Sequence, residues 1–193
     1  EAYNAQLDAI TLFYSELGQN EALFARYKAI AARADFATWP QARRKVVLDA
    51  IRDFRLSGAD LPEQARPRFQ AIQQELASLS AKFSENLLDA TNAWYEDFPD
   101  AAALSGLPPD ALATAKATAG RAGVEGWRLN LQGPCVMAVL RLAEDRALRE
   151  RVWNANATRA SEFSAEAGHP EWDNGPVMLK ILALRAEDAR LLG

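Results

Sequence analysis

Apolar residues recur at three- and four-residue steps along most of the chain, which is the spacing of one face of an α-helix. The first such stripe is followed by Gly18, a common stop signal at the end of a helix. The spacing therefore predicts a first helix over about the first 17 residues. Its stripe consists of Tyr3, Leu7, Ile10, Tyr14 and Leu17.

Three further helices are predicted in the first half of the chain. Asn20 stands where it can cap the second helix, and Pro40 suits the first turn of the third. Pro62 can open a long fourth helix that fades near Thr91. Pro67 lies near the start of that helix, so we expect it to cost a hydrogen bond or bend the first turn.

The middle of the chain changes to a strand pattern. Residues 92–98 (NAWYEDF) and 126–133 (GWRLNLQG) read as strands, since in the second one Trp127, Leu129 and Leu131 alternate with polar residues. The segment between them, LPPDALATAKATAGRAG, reads as a short helix. The pattern therefore predicts a small sheet that pairs the two strands.

Helices return after Pro134. A short helix is followed by one that Asp145 can cap, and a polar loop then leads to a last helix capped by Asp173. The predicted fold class is mainly α, a multi-helix domain with a small β-sheet, with strands near 92–98 and 126–132.

The predicted organisation is one helical lobe over 1–193, which can be divided by its pattern. The first part, 1–91, is predicted to be helical, the second, 92–133, to contain the small sheet and a helix, and the third, 134–193, to be helical. No period of 33 to 47 residues recurs, which disfavours a helical-repeat solenoid.

Composition narrows the class of protein. The formal net charge is −4, and basic residues are dispersed among acidic ones, so no nucleic-acid partner is expected. The single cysteine, Cys135, fits a reducing compartment such as the cytoplasm. Neither a signal peptide nor a membrane-spanning stretch is recognised. Because the chain opens on Glu1 and stops within a helix, we expect both ends to be cuts in a longer protein.

His169 is the only histidine and the first candidate for chemistry. A metal site there would need Glu166, Glu171 or Asp173 as further ligands. A catalytic zinc needs three protein ligands, often two histidines one helical turn apart, and one histidine cannot supply that pair. Loop carboxylates are more often solvated or capping, so no metal is expected in this chain.

The sequence signals for other kinds of active site are equally weak. Ser161 and Ser164 lie near His169, but neither follows the pattern of a nucleophile elbow. Cys135, at a helix start, has either a lowered pKa or the ordinary role of a small buried apolar residue, and the second is favoured. The glycines of 120–126 indicate a helix stop and a turn. Residues 156–158 (NAT) match the pattern of a glycosylation acceptor, and we interpret this match as a coincidence. Core positions are expected for four aromatic residues, Trp94, Trp127, Trp153 and Trp172.

Several stretches, taken in order, resemble the thimet oligopeptidase family of zinc metallopeptidases, which includes oligopeptidase A. Each stretch alone is weak, whereas the ordered set is specific and covers essentially all 193 residues. The main stretches are GQNEALFARYKAI (18–30), LRLAEDRALRERVWNANATRAS (140–161) and WDNGPVMLKILALRAEDARLLG (172–193). Shorter matches are IRDFRLSGADLP (51–62), KFSENLLDATNAW (82–94), LSGLPPDALATAKATA (104–119) and GWRLNLQ (126–132).

The resemblance implies a fold and an activity for the parent protein. Family members are mostly helical, have two lobes facing a deep channel, and cleave short peptides. Their zinc is bound by a His-Glu-x-x-His helix and a downstream glutamate. None of those residues maps onto this chain, so no catalytic, cofactor-binding or metal residue is assigned here. The chain resembles part of the N-terminal, non-catalytic lobe, which would wall the channel.

The partners that the resemblance implies are short peptides and the C-terminal catalytic lobe. Zinc would be bound by the full-length parent and not by this chain, and the parent would be cytoplasmic. Because the last helix would be separated from the rest of its protein, we expect some weak self-association. The alternative is a stand-alone helical module for protein interactions without enzymatic activity.

Overall fold

The computed structural model describes residues 2–193, apart from the side chain of Asn4. Over that range the chain forms eight α-helices, two β-strands and four short 3-10 helices. The α-helices are α1 (Ala2–Gly18), α2 (Glu21–Ala31), α3 (Gln41–Leu56), α4 (Arg66–Ala93), α5 (Pro109–Arg121), α6 (Gly133–Leu142), α7 (Arg146–Ala157) and α8 (Gly175–Leu192). The strands are β1 (Tyr95–Phe98) and β2 (Trp127–Asn130). The predicted fold class is confirmed.

The chain divides into two compact units. The first comprises residues up to Lys82 together with Met178–Gly193, and the second comprises Phe83–Val177. The sub-division expected from the sequence pattern follows changes of secondary structure rather than packing, and it stays a prediction. No described helix is both long and apolar enough to cross a membrane.

The first unit has an aromatic core between α2 and α3. Phe24 is 2% exposed, and its ring stacks on Phe54 with 5.5 Å between ring centroids. Val47 and Ile51 of α3 are buried beside it. The predicted cap is confirmed, because the side chain of Asn20 accepts a hydrogen bond of 2.9 Å from the backbone N–H of Leu23.

The fourth helix begins later than the sequence pattern indicates. It starts at Arg66 rather than at Pro62, because residues 63–65 form a turn in which the N–H of Ala65 donates to the carbonyl of Pro62. Pro67 is then the second residue of the helix. The first four N–H groups of a helix have no partner within it, so Pro67 costs no hydrogen bond. The expected loss of a hydrogen bond was wrong for this reason.

The apolar stripe of α1 lies largely in solvent. Tyr3 is 67% exposed, Ile10 45%, Tyr14 65% and Leu17 44%, while Phe13 beside them is 59% exposed. A stripe of this spacing ordinarily faces a core. In α1 the described part of the chain leaves it uncovered.

The second unit is built around the small sheet. β1 and β2 run antiparallel, with Tyr95 opposite Asn130 and Phe98 opposite Trp127. The sheet packs on α5 and α6, since Leu129 and Val139 lie in one core with 1% and 0% exposure. α7 closes the same core with two side chains that are fully buried, Leu148 and Val152.

Candidate functional site

His169 lies in a short loop and makes close local contacts. Its ring stacks on Trp172, with 3.7 Å between centroids and 10° between planes. Its Nδ1 lies 3.0 Å from Oε1 of Glu171, and the His169 side chain is 42% exposed. The backbone N–H of His169 donates to the carbonyl of Ser164 at 2.9 Å. These contacts give the histidine a structural role in ordering the loop.

The carboxylates considered as metal ligands beside His169 do not form a metal-binding cluster with it. Glu171 contacts the imidazole, but Asp173 directs Oδ1 at the backbone N–H of Gly175, 2.8 Å away. Across the described residues no group of three or more His, Cys, Asp or Glu side chains could hold a metal ion, so Glu166 completes no such group either. The donor set that a catalytic zinc requires is therefore not present in this part of the molecule.

The next residue, Asn174, has the most constrained environment of the loop. It is 2% exposed, and its Nδ2 donates to the carbonyl of Phe83 at 3.0 Å. Its Oδ1 accepts from Nδ2 of Asn86 at 3.0 Å. Its backbone N–H donates to the carbonyl of Ala160, a residue in the left-handed region with φ of 51°. Asn174 thus joins the start of α8 to α4 and to the loop after α7, a role that the sequence pattern did not reveal.

Both serines near the histidine have structural contacts. Oγ of Ser161 donates to the carbonyl of Thr158 at 2.6 Å and accepts from the N–H of Phe163 at 3.3 Å, which caps the 3-10 helix Glu162–Ala165. Ser164 is buried, with 6% exposure. The geometry shows neither serine paired with a base.

Cys135 lies on the wall of a small pocket between α5, β2 and α6. The pocket has a volume of about 300 Å³, and its other walls include Ala115, Leu129 and Val139. Burial raises the pKa of the Cys135 thiol, and a hydrogen bond with the backbone of Asn130 opposes this only in part. The alternative of a lowered pKa is therefore wrong, and the thiol lacks the character of an activated nucleophile.

The glycines of 120–126 form a helix end and a turn, as predicted. Gly120 lies within the last residues of α5, and Gly123 and Gly126 have φ of 71° and 99°. A Cβ on Gly126 would lie 2.2 Å from the carbonyl oxygen of Phe98. Glycine is therefore required where the chain enters β2 beside the end of β1.

The four tryptophans expected in the core differ in their environments. Trp94 and Trp127 pack against the core of the second unit, which confirms the expectation for them. Trp172 stacks on His169 at the edge of a loop. Trp153, on α7, is 57% exposed, so its expected core position was wrong. Its apolar neighbours in sequence predict a buried face, but Leu148 and Val152 take the inward positions of α7.

Two ion pairs engage the acidic residues of β1, Glu96 and Asp97. Arg128 of β2 donates two hydrogen bonds of 2.7 Å to Asp97 of β1, and its guanidinium lies 3.8 Å from the ring centroid of Tyr95. Arg151 of α7 binds Glu96 of β1, with Nη2 and Oε1 2.7 Å apart. Hydrogen bonding from Arg128 lowers the pKa of the Asp97 carboxyl. Each of these side chains is already engaged with a structural partner.

A large concave surface of the first unit lies beside α1. This groove, called the α1 groove below, has a volume of about 730 Å³ and is lined by α1, the end of α3, α4 and α8. Ile10 and Tyr14 form part of its wall, together with Phe69 of α4. Asp188 of α8 also lines it and accepts a hydrogen bond of 3.0 Å from Nε2 of Gln73. Burial raises the pKa of the Asp188 carboxyl.

The comparisons with known proteins extend the resemblance seen in the sequence. Residues 1–66 match the family model of the neurolysin/thimet oligopeptidase N-terminal domain. All 193 residues align with oligopeptidase A of Haemophilus influenzae at 40% identity and with oligopeptidase A of Salmonella typhimurium at 41%. The chain is therefore similar to the N-terminal part of oligopeptidase A. It spans 28% of the length of each bacterial relative and corresponds to the N-terminal part of these proteins.

A plant relative shows the same partial coverage. The probable cytosolic oligopeptidase A of Arabidopsis thaliana is 37% identical over 188 residues, which are 94% of this chain and 26% of that protein. The ordered stretches that carried the resemblance thus lie within one continuous alignment. The relationship is to the N-terminal part of peptidases, where the described residues assemble no metal-ligand cluster.

Proposed function

We propose that residues 1–193 form part of the N-terminal, non-catalytic lobe of a cytoplasmic, zinc-dependent oligopeptidase that hydrolyses short peptides. The observation that carries the proposal is the 40% identity to oligopeptidase A across the whole chain. Identity at this level over a full alignment indicates a shared fold. The role follows from which part of the relatives is matched.

The metal-binding side chains of the described residues indicate which part of the parent protein would carry out catalysis. The zinc ligands implied by the family, two histidines and a glutamate, do not fit the described residues, which contain no three-ligand cluster. We therefore assign no step of peptide hydrolysis to a residue of this chain. The chain's contribution is a helical wall that narrows the substrate channel and excludes large folded substrates.

Activity measurements on the full-length gene product test the proposal. We expect the full-length protein to cleave a quenched fluorescent peptide of about ten residues, to lose this activity with a chelator, and to regain it with added zinc. The chain 1–193, assayed in parallel, should show neither cleavage nor stoichiometric zinc binding by titration calorimetry.

Two outcomes would contradict the proposal. The first is peptide hydrolysis by the chain 1–193 that a chelator abolishes. The second is a reading frame that stops shortly after Gly193 without a His-Glu-x-x-His sequence, which would favour the alternative of a stand-alone helical interaction module. Neither outcome depends on how the two units of this chain are arranged.

A further inference from the structure

The exposed apolar stripe of α1 lacks a partner in the described part of the chain. We call Tyr3, Ile10, Phe13, Tyr14 and Leu17 the α1 stripe; their exposed fractions run from 44% to 67%. Steps of seven, four and three residues place Tyr3, Ile10, Tyr14 and Leu17 on one face of the helix, with Phe13 beside them. Contiguous apolar surface of this kind marks a docking surface rather than a solvated one.

The α1 groove, which adjoins the α1 stripe, has a form in which a helix could dock. Ile10 and Tyr14 belong both to the α1 stripe and to the α1 groove, whose volume is about 730 Å³. Spacing of the stripe by sevens, fours and threes is the spacing at which one helix packs lengthwise on another. An amphipathic helix that laid its apolar face on the stripe would continue into the groove.

One polar atom in the groove wall also lacks a partner. Oγ of Ser15 is buried and has no hydrogen-bond partner, although it belongs to a residue that lines the α1 groove. Buried polar groups are nearly always satisfied in folded proteins. A segment docked in the groove can supply the missing acceptor or donor, so the occupant carries a polar group beside its apolar face.

Charge argues for a protein occupant over a membrane surface. The only charged residues between positions 2 and 18 are Asp8 and Glu16, both acidic and both exposed. Helices that lie on anionic membranes carry Lys and Arg on their polar face. The charge of α1 would instead be repelled by such a surface.

The source of the occupant follows from the comparisons. Relatives that match this chain extend well beyond it, since the 193 aligned residues are 28% of their length. We propose that the α1 stripe and the α1 groove are covered, in the parent protein, by a helical segment of the same polypeptide that lies outside residues 1–193. This inference rests on the proposed function, because it takes the chain to be part of a longer peptidase.

Cysteine labelling of the full-length protein tests the docking surface. In a background with its native cysteines replaced by serine, including Cys135→Ser, single variants Tyr14→Cys and Glu16→Cys are reacted with a maleimide. Both positions are exposed in the described structure, so without an occupant their rates should be similar. With the occupant in place, Tyr14→Cys should react at least about tenfold more slowly, because labelling then requires local opening.

A second pair of variants serves if the substitution Tyr14→Cys itself weakens the contact between the α1 stripe and its occupant. Tyr14→Asp should lower the Tm of the full-length protein, because it places a charge in a covered apolar contact. Glu16→Lys, on the opposite face of α1, should leave the Tm nearly unchanged. Equal labelling rates together with equal Tm values would overturn the inference.

Other occupants give distinct results. Protection of Tyr14→Cys that disappears on dilution, with dimers seen by sedimentation, would assign the surface to a second copy and overturn the inference. Protection that appears only with anionic lipid vesicles would do the same in favour of a membrane. Peptide hydrolysis is measured on the same preparation. Protection without hydrolysis contradicts the proposed function alone, and hydrolysis without protection contradicts this inference alone.

Discussion

Asn174 and Gly126 owe their roles to backbone groups that lie far away in the sequence. The amide of Asn174 binds the carbonyl of Phe83, and the backbone of Gly126 approaches the carbonyl of Phe98. Removing a buried amide leaves its partners unsatisfied, whereas adding a Cβ to such a glycine creates a clash. At the scale of single residues, these close contacts constrain the fold of the second unit more than the ionisable side chains in the loop of His169 do.

Substitution of Gly126 tests this view of the second unit. Gly126→Ala places a Cβ 2.2 Å from the carbonyl oxygen of Phe98 at a φ of 99°, so we expect a loss of about 2 kcal/mol or more in the free energy of unfolding. Gly120→Ala is the matched control, because a Cβ there meets nothing within 4 Å and the residue is helical. It should stabilise the protein by about 0.5–1 kcal/mol.

Denaturant unfolding of both alanine variants measures the two effects. A Gly126→Ala protein as stable as the unsubstituted chain would show that the end of β1 can move away at little cost. In that case the close approach of the two backbones would not be a constraint on the sheet.

At the scale of elements, the small sheet depends on side-chain pairs as well as on its backbone register. Only four residues of each strand pair, and Asp97 faces Arg128 across the ladder. Arg128 also covers the ring of Tyr95, so one guanidinium contacts both an acid and an aromatic ring. Cross-strand pairs of this kind stabilise short sheets.

The ion pair predicts a dependence of stability on pH. Arg128 lowers the pKa of Asp97 in the folded protein, so the folded state binds a proton less readily than the unfolded one. Its contribution is complete above the unfolded pKa of about 3.9 and is lost as the pH falls through the lower folded value. Asp97→Asn should therefore cost about 0.5–1 kcal/mol at pH 7 and progressively less below pH ~4.

Unfolding free energies measured between pH 7 and pH 2.5 check this dependence. Asp89→Asn, at an exposed position of α4, serves as the control for the loss of a carboxylate outside this ion pair. A constant difference for Asp97→Asn over the same range would mean that the carboxylate gains nothing from Arg128 in the folded state.

At the scale of the whole molecule, large apolar side chains lie exposed on more than one helix. On α8, Met178 is 47% exposed, Leu179 71% and Leu182 61%, and they lie on one side of the helix. Together with the α1 stripe they give the first unit more uncovered apolar surface than a solvated helix face ordinarily carries. This surface is the structural basis for the expected self-association.

Sedimentation velocity at increasing concentration tests the association of chain 1–193. The average mass should rise with concentration, because burying the apolar faces against a second copy removes them from water. The double variant Leu179→Lys/Leu182→Lys should weaken the rise. Ala42→Lys adds a charge at an exposed position of α3 and should leave it unchanged. A strictly monomeric chain at high concentration would argue against this interpretation.

The sequence alone determined the elements, their order and the resemblance to the oligopeptidases. Helical spacing, the cap at Asn20, the cap at Asp145 and the alternation around Leu129 are all interactions between near neighbours, so they can be recognised without the fold. The resemblance to the oligopeptidases could also be recognised without the fold, because it consists of short stretches of sequence that occur in a fixed order. Among these local features, the start of α4 was misplaced, and so was the start of β1, which lies at Tyr95 rather than at Asn92 because α4 continues to Ala93.

Tertiary structure decided which of those patterned faces are covered. The stripes of α1 and of α3 have similar spacing, yet Tyr14 is 65% exposed whereas Ile51 is buried beside Phe24. Burial depends on what lies opposite a face, and that partner can be far away in the sequence. The same reason explains why Asn174, paired with Asn86 from 88 residues away, could not be recognised from the sequence around His169.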